Sequence, residues 1–177
     1  MSDIHITKYL LADSMKKLMK KRPMRKISIS DIVRPCNMNR QSFYYHFKDK
    51  YDLVNWIYYT ELVVKIIDMP LERFELLERN CNYFYENKEF YKNAFEVTGQ
   101  NSFSEYFSKV TRSIIKVQLE EIFKNKKNID FYITFYVDAN LASISRWLRE
   151  GANIPPDEFV DLLKCAVENL TDYMSVC

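Results

Sequence analysis

The chain has 177 residues, 47% of them apolar and 15% aromatic, with only two Gly and five Pro. That is enough apolar matter for a core and too few helix breakers for many turns, so an all-α protein of one or two small domains is expected. The net charge of +2 hides a division: residues 1–50 carry twelve Lys/Arg against four Asp/Glu, a balance of +8, and the rest carries fourteen against twenty, a balance of −6.

A basic end on an acidic body is the electrostatic signature of nucleic-acid binding. Other classes have little support. No run approaches the roughly 20 apolar residues of a membrane span, and Met1–Asp13 lacks the uninterrupted apolar core of a signal peptide. Cys36, Cys81, Cys165 and Cys177 are scattered, as in a reduced cytoplasmic protein without a metal site. His5 and His46 stand in unrelated contexts, and no glycine-rich phosphate loop is present, so neither an enzyme nor a cofactor is expected.

In chain order, a first helix is expected from about Thr7 to Lys21, with Ile6, Leu10, Leu11, Met15, Leu18 and Met19 as its apolar stripe. Pro23 stops it. Ser30 has the character of an N-cap for a short second helix. Pro35 lies late enough to end that helix early, and Asn37 tolerates the positive φ of a tight turn. Asn39 is placed to cap a third helix, in which Phe43 and Phe47 share an inward face. Arg40, Gln41, Tyr44 and Tyr45 are left on the outward face. Asp49 caps a long fourth helix running to about Ile67, and Met69-Pro70 ends it. Two short helices joined by a tight turn, the second with a polar and aromatic outer face, form a helix-turn-helix.

The run Ile32-Val33-x-x-Cys36-Asn37-Met38-Asn39-Arg40-Gln41-Ser42-Phe43-Tyr44-Tyr45-His46-Phe47-Lys48-Asp49-Lys50 closely resembles the signature of the TetR family of bacterial transcription regulators. Cys36 and Asn37 depart from the family's usual Ala and Gly. The resemblance implies residues 1–50 as a three-helix DNA-binding domain. The long fourth helix then joins it to residues 51–177, a helical dimerisation and regulatory domain. Five further helices are expected there, over about 71–85, 88–97, 103–124, 129–150 and from Pro155-Pro156 onward. Phe84–Tyr91, Thr98–Phe103 and Trp147–Gly151 resemble the branch of dihydroxyacetone kinase operon activators, in which the signal comes from a partner protein and transcription rises.

Candidate roles follow from side-chain chemistry. Arg40 suits the two acceptors of guanine, Gln41 pairs with adenine, and Tyr44 meets a thymine methyl or a phosphate. Ser28, Ser30, Ser42, Tyr45, His46, Lys48 and Lys50 suit phosphates. The amides that open the fourth helix beside Lys50 also attract an anion. By resemblance to the family, Tyr45, His46 and Lys50 are foremost among these. One such unit reads only a few base pairs, so a homodimer on a palindromic double-stranded operator is expected. The last two helices are its expected interface, through the small residues Ala139, Ala142 and Ser143 and the face made by Phe159, Leu163, Ala166 and Leu170.

Control through the C-terminal helices is open between a small effector and a coactivator protein. An effector pocket would draw on Asn80, Gln100 and Asn140 as polar groups. Its aromatic walls would be Tyr83, Tyr91, Phe95, Tyr106, Phe107 and Tyr136. An aromatic stripe at helical spacing also serves as plain core. The alternative function is a protein-interaction module with a vestigial helix-turn-helix.

Overall fold

The computed structural model describes residues 3–72, 74–122 and 128–174. Among the described residues there is helix and no strand, and no helix is long and apolar enough to cross a membrane. Helix α1 spans Asp3–Met19. Its buried stripe is Leu11, Ala12, Met15 and Met19, while Ile6 and Leu10 are 46% exposed. The expected stripe was therefore too wide at its N-terminal end. There Tyr9 meets the ring of Trp56 edge-on at 5.3 Å.

Helix α2 (Ile29–Val33) starts two residues before a cap at Ser30 would have started it. Ser28 is the cap: its hydroxyl accepts from the Asp31 amide, and the Asp31 carboxylate accepts from the Ser28 amide at 2.9 Å. This reciprocal box satisfies two of the amides that a helix start leaves unpaired. Ser30 lies inside the helix instead. Pro35 sits in a 3-10 turn, Arg34–Cys36, that closes α2, and Asn37 follows at φ 52°, in the left-handed region that Asn tolerates. Helix α3 (Arg40–His46) is capped by Asn39, whose side chain accepts from the Ser42 amide at 2.8 Å. Phe43 and Phe47 are buried beneath it, and the buried Ser14 hydroxyl ties α1 to the Ile32 carbonyl at 2.7 Å.

Helix α4 has three parts: Lys50–Tyr58, a π turn over Tyr59–Val63, and Val64–Ile66. Asp49 caps it by accepting from the Tyr51 and Asp52 amides at 2.8 Å. Residues four apart on a regular helix drift around its axis by about 40° per step. The wider π turn takes up part of that drift, so Val54, Tyr58, Leu62 and Ile66 all stay buried. Thr60 supports the distortion, its hydroxyl donating to the Trp56 carbonyl at 2.8 Å.

The C-terminal helices are α5 (Glu75–Glu86), α6 (Lys88–Phe95), α7 (Phe103–Ile122), α8 (Ile129–Arg149) and α9 (Pro156–Met174). Helix α5 begins four residues later than expected, after Phe74 at φ 70°. Helix α8 ends in a Schellman motif: the Ala152 amide donates to Trp147 and the Gly151 amide to Leu148, with Gly151 at φ 95° as the left-handed residue. Tyr58 sits among the rings of Phe84, Tyr91, Phe103 and Phe107. Helix α4 thus belongs to both halves, and the apolar core runs through it as one cluster.

Candidate nucleic-acid interface

Helix α3 presents its outward face as expected. Arg40 and Gln41 are exposed, as are Tyr44 at 50% and Tyr45 at 76%. The Arg40 guanidinium reaches the Tyr44 hydroxyl at 3.4 Å and lies 6.0 Å from its ring centroid. These two residues form one row. Gln41, Ser42, Tyr45 and His46 form a second row, and with Asn39 and Thr7 of α1 they line an open cleft of about 350 Å³. Thr7 was not visible from the sequence as part of this surface, because only folding lays the start of α1 beside α3. Burial, and then the charge of nearby Lys8, hold the His46 imidazole below its ordinary pKa.

The expected phosphate contacts divide on inspection. Tyr45, His46 and Ser42 share the cleft, and Lys48 is exposed beside it in sequence. Ser28 is engaged in its capping box: its hydroxyl donates to Asp31 at 2.7 Å. Bonds from the Ser28 hydroxyl and amide, then the Arg22 guanidinium, bring the Asp31 pKa down to about 2. Lys50 turns inward. Its ammonium donates to the carbonyls of Met24, Arg25 and Ile27 at 2.8–3.3 Å, so a phosphate would have to compete for its three N–H groups. The anion site expected at the start of α4 is likewise occupied, since Asp49 already accepts from the first amides.

Residues 13–57 match the family described as "Bacterial regulatory proteins, tetR family", and residues 72–169 match "Transcriptional regulator C-terminal region". The chain belongs to the TetR family. Over 154 residues it is 28% identical to the HTH-type dhaKLM operon transcriptional activator DhaS of Lactococcus lactis subsp. lactis (strain IL1403), covering 82% of this chain and 79% of that one. Its fold is similar to a solved structure of the dihydroxyacetone kinase operon activator DhaS, with a TM-score of 0.64, 22% identity and 97% of each chain covered. TetR-family proteins are transcriptional regulators, not enzymes.

In this TetR-family chain the expected effector residues do not converge on one space. Tyr83 and Tyr91 bond each other at 2.8 Å, and Phe95 packs on Phe84 and Phe103. Gln100 is exposed in a turn and Tyr106 is half-buried. Asn80, Phe107, Tyr136 and Asn140 do line a common space, but it is only about 40 Å³. Thr111 lines it too, with a buried hydroxyl that has no hydrogen-bond partner. Of the expected dimer residues, Ala139, Ala142 and Ala166 are exposed and Ser143 is partly so. Phe159 is not available: its ring stacks on Trp147 of its own chain at 4.5 Å, and it is 8% exposed. Leu163 packs partly against the core. The side chain of Leu170 lies outside the described residues.

Proposed function

We propose that this regulator binds double-stranded DNA sequence-specifically as a homodimer, with α3 in the major groove, and activates transcription in response to a partner protein. The observation that carries the DNA half is the outward face of α3. Arg40, Gln41, Tyr44 and Tyr45 are held in solvent by an inward pair, Phe43 and Phe47, in a segment of net charge +8. Helices of this kind read base edges with side chains near their start. The vestigial reading has less support, because the caps of α2, α3 and α4 and the left-handed turn are all intact.

The partner half draws on the space among the C-terminal helices. An effector pocket has about 300–1,000 Å³, and the space around Asn80 and Asn140 is about 40 Å³. Nearby, the rings of Phe84, Tyr91, Phe95, Phe103 and Phe107 pack on one another. Activation is the role named for the Lactococcus relative, and we extend it to this chain.

Gel-shift titration against fragments of the source genome, repeated at rising salt, tests the DNA half. A shifted fragment that survives competition by random DNA is the expected result; no binding at low salt would remove the proposal. Calorimetric titration of the isolated protein with dihydroxyacetone tests the partner half. No heat of binding is expected, and saturable binding would favour direct sensing while leaving the DNA half intact.

A further inference from the structure

The cleft beside α3 has two walls, and one of them is not part of the helix-turn-helix. Ser42, Tyr45 and His46 of α3 face Thr7 of α1 across about 350 Å³ of open space. Lys8, the next residue, brings its ammonium 5.5 Å from the Phe47 ring centroid and 5.7 Å from that of Trp56. Those rings belong to the end of α3 and to α4, and Lys8 sits close enough to the cleft for its charge to act on the His46 imidazole. A cation over ring faces is held there by the ring quadrupoles while its charge is not cancelled as it would be by a carboxylate.

The cleft is lined by Met38 and the amide side chains of Asn39 and Gln41 as well. It offers hydroxyls from Thr7, Ser42 and Tyr45 and the His46 imidazole, with the Lys8 ammonium nearby. The Ser42 hydroxyl bonds Asn39 at 3.1 Å, so Ser42 serves mainly to set the floor. Such a set suits the oxygens of a sugar-phosphate strand, and among the described residues that line the cleft none is a carboxylate. Its position is also suitable: it borders the Arg40–Tyr44 row, as a backbone borders the groove that a recognition helix enters.

We propose that the start of α1 is the second wall of a backbone-phosphate clamp, with Thr7 and Lys8 holding the DNA strand against Tyr45 and His46. The inference rests on the DNA-binding reading of α3 and extends it to an element outside the helix-turn-helix. It makes binding depend on how α1 is seated, because α1 carries one wall and α3 the other.

The test uses the full-length protein and two duplexes: a random-sequence 30-bp duplex, and one selected by the wild type from a random library. Anisotropy titrations over a range of salt give the affinity and its salt slope. Lys8→Gln is expected to weaken both duplexes alike and to reduce the slope by about one. Lys8→Arg is expected to restore the slope. Thr7→Val is expected to weaken both by roughly two- to tenfold, as loss of one hydrogen bond would, with the slope unchanged. Ethylation interference adds a readout that a folding defect does not imitate: a phosphate whose ethylation blocks the wild type should no longer matter to Lys8→Gln.

A wild-type slope retained by Lys8→Gln, with the same interference pattern, would overturn the clamp and leave the DNA reading standing. Failure of the wild type to bind either duplex would instead defeat the DNA reading itself.

Discussion

Arg40 and Tyr44 stand one turn apart and touch each other at 3.4 Å, so the guanidinium is partly ordered before any DNA arrives. Replacing Arg40 by Ala is expected to cost about 1–3 kcal/mol of discrimination between the selected site and random DNA. Equal weakening on both in a competition titration would refute its base-reading role. Asp31 is a residue of another kind, structural and exposed to pH. Its folded pKa of about 2 lies below the ordinary 3.8. Its contribution is therefore complete above the ordinary value and is lost as pH falls toward 2. Acid titration followed by circular dichroism should show wild-type stability declining through that window. For Asp31→Asn this component should be missing, and identical acid profiles would mean that the box contributes nothing. Lys50 teaches the opposite lesson. A lysine in a DNA-binding signature invites a phosphate role, yet here burial lowers its pKa and its ammonium holds the loop from Met24 to Ile27.

At the scale of elements, α4 connects the two halves through one carboxylate. Glu61, on the π turn, accepts from Lys16 of α1 at 2.7 Å and from the Tyr83 hydroxyl of α5 at 2.7 Å. Since Tyr83 donates its proton to Glu61, Tyr91 of α6 donates to Tyr83 at 2.8 Å. Burial raises the pKa of both phenols, so both remain donors at any physiological pH. The chain Lys16–Glu61–Tyr83–Tyr91 thus crosses from the DNA-binding helices to the C-terminal ones. Glu61→Gln keeps the shape and removes the charge; it is expected to cost about 1–3 kcal/mol of stability and to alter DNA affinity without touching the DNA face. Urea denaturation and anisotropy titration check the two effects. Wild-type values in both would show that the carboxylate couples nothing.

At the scale of the whole molecule, α8 and α9 expose large apolar side chains. Phe131 and Phe135 are 66% and 57% exposed on α8, and Leu162 is 55% exposed on α9. Ala139 and Ala142 continue the α8 face with small side chains, which allow two helices to approach closely. If this face joins two copies, Ala142→Arg should convert a dimer to a monomer in sedimentation equilibrium and weaken operator binding through the loss of the second half-site. A variant that sediments as the wild type does would place the dimer contact elsewhere.

Much of the DNA-binding end was determined by sequence alone. Its signals act over four residues or fewer: Asn39 and Asp49 cap the helices they precede, Asn37 takes the left-handed turn, and Phe43 and Phe47 point inward together. Hydrogen bonds and periodicity at that range need no knowledge of the rest of the chain. Even there, two serines and a helix start within three residues left the cap ambiguous, and the Asp31 bond chose Ser28 over Ser30. Tertiary structure decided the rest, because the partner in each case is distant in sequence. Lys50 meets carbonyls 23 to 26 residues away, Trp147 takes Phe159 out of the expected interface, and Thr7 reaches α3 only when α1 is packed against it. The aromatics of the C-terminal half show the same limit most clearly. Helical spacing identifies an apolar face, but whether that face closes on itself or around a ligand depends on the distance between helices. Here that distance leaves about 40 Å³.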